Sequence, residues 1–197
     1  MNIVISAPSG TGKTSLIKRL LQGHNIYEFS ISVTTRPIRE GENDGVNYYF
    51  VPVEDFKAFI DKNEFIEWAI VHGNYYGTTK KEIDRIRRAG NIPIFDVDIQ
   101  GAVHLKDQLE DSVYIFIVPP SMDELKKRLI SRKTESEDQI KLRLENAGEE
   151  LKKYHLFDYI VVNDEIEAAE KKLRAIISAE LCKRDRMKSS LNKLMEN

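Results

Sequence analysis

Short apolar runs alternate with helical stripes along this chain. Residues 2–6 (NIVIS) are mostly apolar and are followed by Pro8 and Gly10, which predicts a buried strand. Leu16, Ile17, Leu20 and Leu21 then recur at helical spacing over residues 12–22, and Gly23 ends that helix. Residues 92–97 (IPIFDV), 113–118 (VYIFIV) and 159–162 (YIVV) repeat the short apolar pattern. Strands buried on both faces read this way and favour a parallel sheet covered by helices. Thr79 with Glu82 forms a capping-box pattern ahead of Ile83 and Ile86, and Gly90 closes that helix. Ser121 with Glu124 repeats the pattern before Leu125 and Leu129. Ile140, Leu144, Ala147 and Leu151 make one helical stripe. Asp164 with Glu167 is expected to cap a last helix through Ile166, Ala169, Leu173, Ile176 and Ile177. Strand–helix alternation of this kind predicts an α/β layered fold.

Two stretches break the alternation. Residues around 33–78 mix strand and helix character and carry Asp44-Gly45, a hairpin signal. They read as a small accessory domain. Residues around 126–150 are highly charged and read as a mobile flap. The tail from Lys183 is basic and polar and reads as a helix end fraying in solvent.

Composition narrows the class. A chain of 197 residues with 41% hydrophobic and 31% charged residues supports one packed domain. Thirty Lys and Arg against 32 Asp and Glu give a net charge of −2, which is not that of a generic nucleic-acid binder. Cys182 is the single cysteine, so disulfides within the chain and Cys-rich zinc sites are excluded. His24, His72, His104 and His155 show no metal-site spacing. The beginning, MNIVISAPSGTGK, lacks a signal-peptide pattern, and no window approaches the roughly 20 apolar residues of a membrane span. The expected location is cytoplasmic.

The strongest local motif is Ala7-Pro8-Ser9-Gly10-Thr11-Gly12-Lys13-Thr14, between a predicted strand and a predicted helix. It matches the phosphate-binding P-loop, G-x-x-x-x-G-K-[ST], with Ala7 at the first glycine position. Alanine fits there if its φ is negative. Glycines let successive backbone N–H groups face phosphate oxygens, and the helix N-terminus adds its positive end. Lys13 suits the β- and γ-phosphates and the Thr14 hydroxyl suits Mg²⁺. A P-loop also needs a carboxylate at the end of a neighbouring strand. Asp96 and Asp98 end IPIFDVD and, two apart in a strand, are expected on the same side.

Further motifs carry a resemblance. Residues 29–42 (FSISVTTRPIREGE), then Gly45 to Phe50, Glu64-Phe-Ile-Glu67-Trp68 and residues 73–78 (GNYYGT) resemble the GMP-binding signature of guanylate kinases. The motif order matches from residue 7 to Val162-Asn163-Asp164, most of the chain. The resemblance implies a P-loop parallel sheet flanked by helices, with an inserted GMP-binding subdomain and a helical lid. The core would be about 1–32, 81–125 and 151–197, the insertion about 33–80 and the lid about 126–150. It implies ATP:GMP phosphotransfer with Mg²⁺ held alongside ATP, in a monomer or homodimer, with no nucleic-acid or membrane partner. Arg36, Arg39, Tyr48 and Tyr76 would hold the GMP phosphate. Ser32, Glu67 and Thr78 would read guanine. Asp98 would lie near GMP or a metal-bound water. Arg128, Arg132 and Arg143 in the lid would reach the ATP phosphates, and Asn163 would lie near the adenine. A glycine often follows the second lid arginine in this family, and Lys133 stands there instead.

The residue chemistry agrees with that reading. Pro37 stiffens the loop between Arg36 and Arg39, and two guanidinium forks suit a phosphate. A carboxylate such as Glu67 accepts from both guanine N1–H and the 2-amino group, a donor pair adenine lacks. Trp68 beside it reads as core. Arg128 and Arg132, four apart, share a helix face if that helix persists, and a bound polyphosphate relieves their repulsion. Two rival classes are a peptide-binding scaffold module of the guanylate-kinase type and a related sugar-phosphate kinase. Lys13 and Thr14 argue against the first, and the guanine readers argue against the second.

Overall fold

Strand β1 (Asn2–Ser6) is buried at every position, as a strand covered on both faces must be. The computed structural model describes residues 1–23, 26–71, 73–131 and 136–196. Arg132 and Lys133, with His24 and His72, lie outside the described residues. After β1 come α1 (Lys13–Leu21), β2 (Tyr27–Phe29), β3 (Val33–Thr34), β4 (Tyr49–Phe50), α2 (Val53–Asp61), β5 (Phe65–Val71), β6 (Asn74–Thr79) and α3 (Lys80–Arg88). The chain continues through β7 (Ile92–Asp96), α4 (Ile99–Gln108), β8 (Ser112–Val118), α5 (Met122–Ser131), α6 (Glu137–Leu151), β9 (Tyr159–Val162), α7 (Ile166–Leu181) and α8 (Arg184–Met195). Among the described residues the strands form two sheets, ordered β2-β7-β1-β8-β9 and β4-β3-β6-β5. The pairs β2–β7 and β8–β9 are parallel, so the α/β expectation holds.

Two compact units divide the chain: residues 1, 5–23 and 113–197, and residues 2–4 and 24–112. In the first, α1 and β9 both pack on α7. Ile115, Phe116 and Ile117 are fully buried, and the Phe116 ring stacks on Phe157 at 4.5 Å. Helices α5 and α6 join through Leu125, Leu129 and Ala147, with Ile140 and Leu144 against them. A full capping box at Ser136 and Gln139 starts α6. Glu180 is 1% exposed near the end of α7. It accepts from the Tyr159 hydroxyl at 2.5 Å and pairs with Lys183 at 2.7 Å and with Arg186. These three donors hold its titration down at about 2, against the burial that pushes it up.

In the second unit, β3 to β6 and α2 carry their own apolar cluster of Val33, Phe56 and Phe65. The Phe56 and Phe65 rings stack at 4.4 Å. Gly77 lets β6 approach β5 closely, because a Cβ there would come within 2.8 Å of the Glu67 carbonyl oxygen.

Several local expectations are corrected. Asp44-Gly45 does not close a hairpin, since β3 and β4 are parallel. Asp44 instead accepts from the Phe50 backbone N–H at 2.8 Å and shapes the loop before β4. The antiparallel pair is β5–β6. Trp68 is 37% exposed, because it lies on the face of β5 opposite the buried Glu67 and Ala69. Thr79 caps α3, but Glu82 does not complete the box: its carboxylate accepts from Ile31 N–H and binds Arg85. The α7 N-cap is Glu165, with no side-chain capping bond, rather than Asp164. The tail is a separate helix, α8, because Lys183 and Arg186 turn back onto Glu180.

Candidate functional site

The P-loop fills residues 7–12 between β1 and α1. Gly10 and Gly12 hold φ of 93° and 89°, the left-handed region that glycine enters without strain. Among the described residues Asn63 and Asp111 alone of the non-glycines have positive φ, so Ala7 meets its condition. The Thr11 hydroxyl donates to the Pro8 carbonyl at 2.8 Å and closes the loop on itself. No acidic residue occupies the first turn of α1, so the positive helix end is left for an anion. Lys13 is half-buried at that turn and Thr14 is exposed.

Asn163 is tied to the loop itself. Its side-chain amide donates to the Thr11 carbonyl at 2.6 Å and is buried there. It is a prop beneath the phosphate loop. Arg128 donates to the carbonyls of Asn163 at 3.0 Å and Asp164 at 3.3 Å, and to Glu124 at 3.1 Å. Arg143 on α6 reaches the Ser9 hydroxyl at 3.4 Å. Two of the three lid arginines thus meet the loop or its prop, while Arg132 lies outside the described residues.

The second unit gathers the guanine readers. Strand β5 runs opposite to simple amphipathic expectation: Phe65, Glu67 and Ala69 are buried, while Trp68 and Ile70 are exposed. A register shift between Phe65 and Glu67 accompanies this arrangement, and such irregularities re-aim side chains. Glu67, 7% exposed, accepts from the Thr78 hydroxyl at 2.8 Å. That donation uses the one Thr78 proton, so the Ser32 hydroxyl, 3.3 Å away, is the donor to Thr78. Burial pushes the Glu67 carboxyl up to about 7; the Thr78 hydrogen bond opposes this and the Asp98 charge adds to it.

Arg36 is buried. It donates to both oxygens of Glu42, at 2.8 and 3.0 Å, and to the Pro37 carbonyl at 2.7 Å. The rings of Tyr48 and Phe50 lie 5.5 and 5.7 Å from its guanidinium carbon. Glu42 was not singled out in sequence; its only signal is the acidic position six residues after Arg36. Arg39 is exposed, and its backbone N–H also donates to Glu42, at 2.9 Å. Tyr48 packs edge-on to Tyr76, ring centres 5.8 Å apart. Burial, with the Asp96 charge, pushes the Tyr48 hydroxyl up to about 12, so it stays a neutral donor.

Asp96 and Asp98 do not share a strand face. β7 ends at Asp96, and Asp98 is the N-cap of α4, accepting from Gly101 N–H at 2.8 Å. Thr14 and Asp96 are oxygen donors of the kind Mg²⁺ takes. The described residues hold no group of three or more His, Cys, Asp or Glu able to bind a metal by itself. A magnesium ion carried on phosphate oxygens needs only one or two protein donors, a demand that the hydroxyl of Thr14 at the start of α1 suits. A cavity of about 550 Å³ beside β5 and α4 shares only Glu67 with the named site residues.

The comparisons agree in sequence and in fold. The family model described as guanylate kinase matches residues 1–180. A guanylate kinase of Clostridium tetani is 46% identical over 189 residues, covering 96% of this chain and 90% of that protein. One of Neisseria meningitidis serogroup A is 46% identical over 194 residues, covering 98% and 95%. The crystal structure of guanylate kinase from Anaplasma phagocytophilum, 34% identical, covers 94% of this chain and 88% of its own, with a TM-score of 0.78. With a phosphate loop in one unit and a buried carboxylate reader in the other, the chain belongs to the guanylate kinase family.

Proposed function

We propose that this chain transfers the γ-phosphoryl group of ATP to GMP, giving ADP and GDP. The observation that carries this reading is the Ser32–Thr78–Glu67 chain, which offers a buried carboxylate to a base with two adjacent donors. In the reaction the bond from the γ-phosphorus to the bridging oxygen breaks, and a GMP phosphate oxygen forms the new one. That acceptor is already anionic, so no strong general base is required. Catalysis is positioning plus charge stabilisation.

The P-loop backbone and Lys13 hold the donor phosphates. Arg128, Arg132 and Arg143 neutralise charge on the transferring group. Arg36, Arg39, Tyr48 and Tyr76 hold the acceptor phosphate. Asp98, whose carboxylate caps α4, borders the base. Thr14 and Asp96 would hold Mg²⁺ alongside ATP, where it would supply further neutralisation of the donor phosphates. Residues of about 33–80 and 126–150 close over the substrates and exclude water, which would otherwise take the phosphoryl group. We assign the reaction to the cytoplasm. Among the described residues no helix is long and apolar enough to cross a membrane.

A coupled assay of ADP formation with GMP, AMP, UMP, dTMP and a phosphosugar tests the assignment. GMP should give the highest kcat/KM. A phosphosugar preference, or no turnover with any acceptor, would overturn it.

A further inference from the structure

The Glu67 carboxylate faces the first turn of α4, and the residue opposite it is a glycine. Gly101 is the third residue of that helix. Its φ is not positive, so its backbone conformation does not demand glycine. Glycine inside a helix costs about 1 kcal/mol relative to alanine. The reason for glycine is therefore spatial. A Cβ at Gly101 would lie 3.1 Å from the Val97 Cβ, 3.2 Å from Glu67 Oε2 and 3.3 Å from Asp98 Oδ1. All three are tighter than ordinary van der Waals contact. Val97 is buried, and its Cβ moves only with the backbone at the end of β7. Asp98 Oδ1 is tied by the Gly101 N–H at 2.8 Å. The Glu67 carboxylate, at the end of a longer side chain, is the neighbour that yields.

We propose that Gly101 is a positioning residue for guanine recognition: its missing side chain fixes where the Glu67 carboxylate sits and so sets the preference for guanine over adenine. This deepens the acceptor-site reading above and rests on it. Thr78 holds Oε1 at 2.8 Å, and Oε2 is the oxygen nearest α4. A bidentate partner must keep both oxygens in register with two donors on one base edge. Pushing Oε2 by a few tenths of an ångström tilts the pair out of register without touching the phosphate contacts.

Gly101→Ala should fold with a modestly lower melting temperature, because crowding against Val97 and Asp98 offsets alanine's better helix propensity. Its KM for GMP should rise about tenfold with kcat nearly unchanged, and AMP use should stay as in the wild type. A purely structural glycine predicts no such split. Glu67→Asp withdraws the carboxylate by one methylene. Gly101→Ala/Glu67→Asp should therefore retain more GMP preference than the product of the two single effects. Additive effects would overturn the proposal. Glu67→Gln separates the two levels. If it leaves the GMP-over-AMP preference intact, the reading of Glu67 falls and this inference falls with it. If it abolishes that preference while folded Gly101→Ala keeps it, this inference alone falls. Should Gly101→Ala not fold, a folded double variant supports the contact with Glu67, and an equally unfolded one refutes it.

Discussion

Lowering the pH from 8 to 6 should weaken GMP binding about tenfold through Glu67 alone. Burial raises this carboxyl from the ordinary 4.5 to about 7. Guanine presents two donors, so it binds the ionised form. The ionised fraction is about nine-tenths at pH 8 and about one-tenth at pH 6, and apparent affinity follows that fraction. The GMP phosphate also titrates, near about 6, so the control is Glu67→Gln, which keeps the phosphate and removes the carboxylate. Calorimetric titrations in buffers of different ionisation enthalpy give both the affinity and the proton count. Near pH 7 the wild type should release about half a proton more than the variant on binding GMP. The same shift also affects folding. A value raised above the unfolded one stabilises the fold below about 4.5, and that contribution is lost as pH rises through about 7. The span corresponds to about 3 kcal/mol. At pH 8 Glu67→Gln should therefore resist thermal unfolding better than the wild type while losing its guanine preference. Parallel plots of log Kd against pH for the two proteins, or a less stable variant at pH 8, would refute the reasoning.

Lys13→Met should cut turnover about 10²-fold or more while leaving GMP binding intact, because the lysine serves the donor phosphates; single-turnover rates and a GMP titration check both halves. Glu42→Ala should raise KM for GMP about tenfold with a smaller effect on kcat, since Glu42 holds the Arg36 fork through both carboxylate oxygens, and steady-state kinetics against GMP decide it. Arg143→Ala, which removes the contact to Ser9, should lower kcat more than it changes KM for GMP.

Features written in a few adjacent residues were legible before any coordinates. The P-loop, the helix start at Thr79 and the cap at Ser121 each depend on spacing within one turn. The misreadings have two causes: a competing side-chain bond close by in sequence, as at Asp98 and Asp44, or an arrangement set far along the chain, as at Trp68. Asp98 leaves the strand because its carboxylate is drawn to Gly101 N–H. Asp44-Gly45 carries a hairpin signal, yet Asp44 is committed to Phe50 and the flanking strands run parallel. Trp68 reads as core until the pairing of β5 with β6, with its register shift after Phe65, sets which face is covered, and that pairing is not a local property. Asn163 stands 152 residues from Thr11, and no periodicity couples them. The P-loop motif was legible in adjacent residues, whereas the ties of Glu42 to Arg36 and of Asn163 to the loop required the fold.

The Glu180 cluster bears on how far this chain can be shortened. The family match stops at residue 180, which invites a cut just beyond α7. A chain ending at residue 181 would lose two of the donors that hold the Glu180 carboxylate, Lys183 and Arg186. Only the Tyr159 hydroxyl would remain of the three. Lys183 and Arg186 also hold the start of α8 to the end of α7. The boundary drawn by sequence similarity therefore falls several residues short of the boundary drawn by charge, which runs through Arg186.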